Sequence, residues 1–416
     1  MRYFLLMFFL IFTLRAQSLN LEECISKAID THPDIKRALL DVKKSSSSVD
    51  IADADYLPQV TLNAEYDPYR TYVLPQNGTF HTIDDDGWQA GATLNQKIWD
   101  FSKTTSTIKA YETQEDIAKL SLQDVKALMA YKVKLQYELI LVYSEAIDVR
   151  KSDMQAKREL YDQATALVKL GMKTKADASR FLSAFYVAED NLGIAKANYD
   201  KARNSLSNYI GEKVEDGVVL EDSISNNTLY VNDQLLYDAV LQNNPELKSI
   251  AKSVEKDELL YKATKSSHYG SIDAVASYNY QDTLNSYDST LLGITLRIPL
   301  YSGGRTSAQV EQSLLAREQT KALLNAKALA LKEEFSSLLI DLKRYEKTIK
   351  AKEAQLTASE ETKRVLDARY KQGLSTYIEV LDATALYLDA KLGLLEAKYA
   401  KSSIINRIVY LQGNIL

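Results

Sequence analysis

Proline, glycine, cysteine and histidine are all scarce in this chain, and each scarcity excludes something. Only six prolines and 14 glycines occur in 416 residues. No proline lies between Pro75 and Pro245, and none follows Pro299. Proline breaks helices, so these gaps permit very long ones. Cys24 is the single cysteine, which excludes an intrachain disulfide. Leu21-Glu22-Glu23 before it lacks the small side chains of a lipidation motif. Cys24 is therefore expected as a packed residue on the first helix. The three histidines, His32, His81 and His268, are far apart, and no metal-ligand spacing, nucleophile elbow or P-loop occurs. Ser302-Gly303-Gly304-Arg305 is glycine-rich but lacks a Lys-Ser/Thr pattern, so it reads as a strand-to-helix turn. No enzyme, cofactor or metal site is expected. A net charge of −5 and a pI near 5.5 give no reason to expect a nucleic-acid surface.

Long apolar runs are missing too, with one exception at the start. Arg2 precedes an apolar run from Tyr3 to Leu14, and Leu14-Arg15-Ala16 resembles a cleavage site, so residues 1–16 read as a secretory signal. No other segment is apolar enough for a transmembrane helix, so any membrane insertion must use strands.

What is present is an internal duplication. Leu21 to Tyr66 resembles Asp233 to Tyr278, with His32-Pro33-Asp34-Ile35-Lys36 aligned on Asn244-Pro245-Glu246-Leu247-Lys248. Further on, Lys169, Gly171 and Gly211 match Lys371, Gly373 and Gly413 at an offset of 202. The first repeat is placed at 17–211, a linker at 212–232 and the second repeat at 233–416. Each repeat reads helix, strand, loop, strand, very long helix, short turn, helix.

The four strands, at 59–67, 88–98, 271–280 and 291–298, alternate with period two. Val60, Leu62, Ala64 and Tyr66 alternate with Gln59, Thr61, Asn63 and Glu65. Leu292, Ile294, Leu296 and Ile298 alternate with Leu291, Gly293, Thr295 and Arg297. A soluble sandwich would turn the apolar side to a core, whereas a membrane barrel would turn it to lipid around a wet lumen. The export signal, aromatics crowding the strand ends and strands of about ten residues favour the barrel. Four strands cannot close, because an open edge in lipid leaves backbone groups unpaired, so the chain must oligomerise. Two copies would give eight strands around a filled interior; three would give 12 and a water-filled duct.

Residues 103–170 contain no proline and no glycine. As one helix they would extend about 100 Å. In 306–372 an apolar seam steps by four and three through Leu324, Ala328, Leu331, Phe335, Leu338, Leu342, Tyr345 and Ile349, a heptad pattern. The first copy shows Leu122, Met129, Val133, Ile140, Tyr143 and Ile147, interrupted by Lys126 and Gln136. An ordinary coiled-coil tether of the cell envelope would also show such seams, but it would not need the strands.

At this point the sequence resembles the TolC family of outer-membrane efflux proteins, over essentially the whole mature chain. The resemblance rests on Leu21-Glu22-Glu23 with His32-Pro33-Asp34-Ile35, on Tyr56-Leu57-Pro58-Gln59-Val60, and on Ile298-Pro299-Leu300-Tyr301-Ser302-Gly303-Gly304-Arg305. It rests also on Tyr370-Lys371-Gln372-Gly373 with Glu379-Val380-Leu381-Asp382-Ala383. It implies a mainly α protomer with two helical hairpins and four transmembrane strands. Three such protomers would build a 12-stranded β-barrel over an α-helical periplasmic tunnel in the outer membrane. The implied role is the passive duct of an efflux or type I secretion system. The implied partners are two further copies, a periplasmic adaptor, an inner-membrane pump of RND or ABC type, and outer-membrane lipid.

The resemblance also implies site residues. Glu379 and Asp382 match the paired acids that ring the periplasmic entrance. They lie three apart on one helix face, with Asp389 and Glu396 continuing it. In a trimer, neighbouring carboxylates about 6 Å apart would repel by roughly 3 kcal/mol at an effective dielectric near 20. Raised pKa values, attraction of cations and block by divalent ions are expected. Tyr370 and Asp177 match the tyrosine and acid of a closed-state latch. Ser375 stands where the family carries the latch arginine, which leaves Lys371 or Lys175 as substitutes. Gly171 and Gly373 end the long helices, where positive φ is needed, and by resemblance the adaptor docks at these turns.

Overall fold

The computed structural model describes residues 19–76, 78–215, 220–221, 224 and 232–415. The signal sequence expected at 1–16 and most of the linker expected at 212–232 lie outside the described residues. The elements are α1 (Leu21–Thr31), α2 (Pro33–Ala54), β1 (Gln59–Gln76), β2 (Thr79–Trp99), α3 (Lys103–Lys169) and α4 (Lys175–Ile210). The same series follows again as α5 (Asp233–Asn243), α6 (Pro245–Ser266), β3 (Ser271–Asp282), β4 (Ser286–Arg297), α7 (Arg305–Lys371) and α8 (Tyr377–Leu411).

The helix expected ahead of each strand pair is two helices. The breaks fall at His32-Pro33 and Asn244-Pro245, where proline, lacking an N–H, opens the second helix at its first position. α3 and α7 run 67 residues each without interruption, as the absence of proline and glycine requires. Asn20 caps α1 by accepting from the Glu23 N–H at 2.7 Å.

The described chain divides into two compact units. One holds residues 37–122 and 245–329, with all four strands. They form one antiparallel sheet in the order β1-β2-β3-β4. Its register aligns the apolar positions into rows, such as Val60-Leu94-Ala276-Leu292, and the polar positions into rows between them. Among the described residues nothing covers the apolar face: Val60, Leu62, Ile294 and Leu292 are 70–85% exposed. A sandwich would bury these side chains, so the exposure excludes that architecture.

β1 and β2 run well past the ends expected for them near 67 and 98. They stay paired from Gln59↔Asn95 to Gln76↔Thr79, whereas β3 meets β2 only as far as Asp282↔Trp88. The outer half is thus a two-stranded ribbon. Pro68 falls in the register shift between Asp67 and Arg70, where a residue without an N–H costs no ladder bond. Below the sheet, α6 makes polar contacts with both long helices, Lys256 with Gln114 at 3.1 Å and Arg317 with Glu258 at 2.6 Å.

The other unit holds residues to Lys36, 123–244 and 330–416. Here α1 packs on α4 and α5 on α8, the same pairing in each repeat. Cys24 is buried on α1 as expected, and burial pushes its thiol up to about 12. The seam of α7 sinks Leu331, Phe335 and Leu342 inward. α3 buries a wider stripe that includes Tyr137 and Glu138, both outside the expected seam. The Tyr137 hydroxyl donates to the Leu19 carbonyl and accepts from the Glu221 N–H. Glu138 accepts from Ser402 and Asn406 of α8 at 2.8 and 2.9 Å.

Candidate functional site

Gly171, Asp177, Tyr370, Gly373, Glu379 and Asp382 all lie at the two hairpin ends of the helical unit. Each end is built alike. α3 stops at Lys169 and Gly171 turns the chain at φ +74°; α7 stops at Lys371 and Gly373 does the same at φ +74°. The Met172 N–H then returns to the Leu167 carbonyl, and the Leu374 N–H to the Arg369 carbonyl, closing the open carbonyls of each helix end. A Cβ added at either glycine would meet nothing within 4 Å, so both turns are open to an approaching partner.

The next helices start with matching capping boxes. Thr174 caps α4 with Asp177 in the third position, and Thr376 caps α8 with Glu379 there. Glu379 accepts from the Thr376 N–H at 2.6 Å and its hydroxyl at 3.0 Å. Asp177 accepts the equivalent pair from Thr174 at 3.0 and 2.9 Å. The backbone hydrogen bond is the main reason that each carboxyl sits below its ordinary value. For Glu379 this direction is opposite to the rise expected from crowded acids, because within one protomer the cap is its nearest interaction.

Glu379 and Asp382 are both exposed, on the side of α8 away from the buried Val380, Ala383 and Thr384. Asp389, further along the same side, pairs with Lys352 at 3.6 Å. The acid pair therefore stands on a helix face that the protomer leaves uncovered.

Tyr370 is 2% exposed, inside a cluster drawn from all four helices: Ala164 of α3, Phe181 of α4, Tyr370 of α7 and Val380 of α8. The Phe181 ring meets it edge-on at 5.7 Å. Among the described residues the buried Tyr370 hydroxyl has no hydrogen-bond partner. Burial first, and the charge of Asp177 second, push its pKa up. The cation at this aromatic is Lys173, 5.5 Å from the ring centroid, rather than Lys175 or Lys371. Ser375, at the latch-arginine position, is buried and donates to the Leu366 carbonyl at 3.2 Å. Phe181 and Tyr377, which pack here at 6.1 Å, were not legible from spacing, because their partners come from a different hairpin. Among the described residues no group of three or more His, Cys, Asp or Glu side chains converges as a metal site.

The sequence pattern of the outer membrane efflux protein family matches residues 24–212 and 236–414, one copy to each repeat. The chain belongs to the outer membrane efflux protein family. It is 22% identical over 422 residues to the outer membrane protein TolC of Escherichia coli K12, covering 95% of this chain and 82% of that protein. It is 22% identical to the outer membrane efflux protein BepC of Brucella suis biovar 1, covering 92% and 83%. Among solved structures, crystal structures of CusC superpose with a TM-score of 0.84 at 16% identity, covering 95% of this chain and 92% of that one. As a member of this efflux family the protein is an outer-membrane duct for efflux or type I secretion, with a large periplasmic helical portion.

Proposed function

We propose that three copies close a 12-stranded barrel and a helical tunnel, and that the assembly exports cargo passively. The observation that carries this reading is the sheet: an uncovered apolar face, and two edge strands, β1 and β4, with one unpaired side each. In lipid those edges must pair with other copies. Two copies would leave an interior filled by side chains; three leave a duct. The polar rows then line water and the apolar rows meet lipid.

The duct performs no chemistry. An inner-membrane pump of RND or ABC type supplies the energy and sets the cargo, and a periplasmic adaptor links the two. The open turns at Gly171 and Gly373 are where that adaptor docks. Glu379 and Asp382 of three protomers ring the periplasmic aperture, where they attract cations. The Thr376 cap holds the pKa of Glu379 below its ordinary value, which keeps that carboxylate charged. Tyr370 couples the two hairpins by packing, and Asp177 acts on it through its charge.

Adaptor contact opens the aperture by shifting a population between two packings of the hairpins. Cross-linking from cysteines placed beside Gly171 and Gly373 tests the docking. Capture of the adaptor at both turns is expected; capture only elsewhere on the chain would sink it.

A further inference from the structure

The polar rows of the sheet differ from one another. Near the helices Arg297 stands opposite Ser271, and one row outward Lys97 stands opposite Asp273. The next three rows, from Gln59 to Gly293, Thr61 to Leu291 and Asn63 to Ser289, carry no charge. Charge returns one row further out, in Glu65-Gln89-Gln281-Tyr287.

The neighbouring charges are already neutralised or engaged. Asp67, the next acid outward, pairs with Arg70 at 3.2 Å. Lys97 lies 4.0 Å from Asp100 and donates to Thr104. Among the described residues Glu65 has no ion-pair partner. It accepts one neutral hydrogen bond, from the Gln89 amide at 2.6 Å, which orients the carboxylate without cancelling its charge. In the same row the Tyr287 hydroxyl donates to Gln281 at 3.0 Å. A cavity of about 480 Å³ opens over these four residues together with Asn63 and Asn279. Gly91 lets the Asn279 side chain lie close over the backbone, because a Cβ there would collide with it.

We propose that this row is a second cation-selecting ring, at the outer end of the lumen and separate from the acids of α8. The ring takes small cations, metal or ammonium, on three amide-held carboxylates flanked by phenol hydroxyls. Rings of acids select cations in other pores by the same local field. The inference rests on the trimeric barrel, which alone turns this row inward and closes it into a ring.

The test is the reversal potential of trimers in planar bilayers under a salt gradient. The background is Glu379→Gln with Asp382→Asn, so that the other ring no longer dominates. That background is expected to keep a cation preference, and adding Glu65→Gln to lower the cation-to-anion permeability ratio about two-fold. The drop should be clear at 0.1 M salt, where the screening length is about 10 Å, and nearly absent at 1 M, where it is about 3 Å.

Glu65→Cys, modified after assembly, covers the case in which the glutamine variant fails to fold. The native Cys24 is fully buried, so position 65 is the reactive thiol. A negatively charged thiol reagent should restore the preference and a positively charged one should lower it further. Conducting channels whose ratio ignores Glu65→Gln, or a cysteine at 65 that no luminal reagent reaches, would overturn the ring alone. No channels from the wild-type protein would overturn the barrel and the ring together.

Discussion

Asp177 and Glu379 occupy the same place in successive hairpins, each accepting the N–H and the hydroxyl of the threonine three residues before it. Glu379 is therefore a helix cap as well as the proposed aperture acid, and the two roles separate by substitution. Glutamine can complete a capping box without the charge; alanine can do neither. Glu379→Gln should keep amide-exchange protection in the first turn of α8, and Glu379→Ala should lose it. Thr376→Ala should lose it too, at a cost of about 1 kcal/mol. Equal protection in all four proteins would remove the cap from the account.

The caps carry a pH dependence. Both carboxyls have folded pKa values below their unfolded ones. Their stabilising contribution is complete above the unfolded values, near pH 4, and is lost as pH falls through the folded ones. Amide exchange corrected for intrinsic rate should show the first turns of α4 and α8 opening as pH falls below about 4, ahead of the rest of those helices. Asp177→Asn should remove the acid step from α4 alone. A first turn of α4 that still opens in that variant would contradict the assignment.

Tyr370 is proposed to act by packing its ring between the hairpins. Its hydroxyl is buried with no hydrogen-bond partner among the described residues, so Tyr370→Phe should leave resting conductance and thermal stability unchanged or slightly raise the latter. Tyr370→Ala empties the centre of the four-helix cluster and should cost about 3–5 kcal/mol. A leaky Tyr370→Phe channel would show that the hydroxyl latches the hairpins after all.

The two faces of the sheet should tolerate charge differently. Leu62→Arg or Leu292→Arg places a cation on the lipid face and should cost about 2–4 kcal/mol near the bilayer midplane. Thr61→Arg, one residue away on the luminal face, should assemble. The yield of heat-resistant trimer in outer-membrane extracts reads the difference, and equal yields would contradict the orientation.

Much of this architecture was legible in the sequence, for physical reasons. The alternation of Val60, Leu62, Ala64 and Tyr66 placed those side chains on one face, because the strand period is two. The stretches free of both proline and glycine, 103–170 and 306–372, matched α3 and α7 closely. The outer ribbon was missed because alternation stops at Asp67-Pro68 and at the acids Asp84, Asp85 and Asp86. The bulge that absorbs Pro68 is visible only in the register. At the hairpin ends, equivalence of the turns followed from Gly171 and Gly373. The caps were not read, although Thr174-Lys175-Ala176-Asp177 and Thr376-Tyr377-Ile378-Glu379 both carry the spacing. The Tyr370–Phe181 contact joins helices nearly 190 residues apart in the chain, and no local pattern encodes it.

The central claim is that three copies make a duct whose periplasmic mouth is ringed by Glu379 and Asp382. Its most direct test is single-channel recording in planar bilayers with a divalent cation added to the helical side. The wild-type protein should conduct and be blocked from that side. Glu379→Gln with Asp382→Asn should conduct with the block lost. Unchanged block in the double variant would contradict the aperture, and the absence of conductance from correctly inserted wild-type trimers would contradict the duct itself.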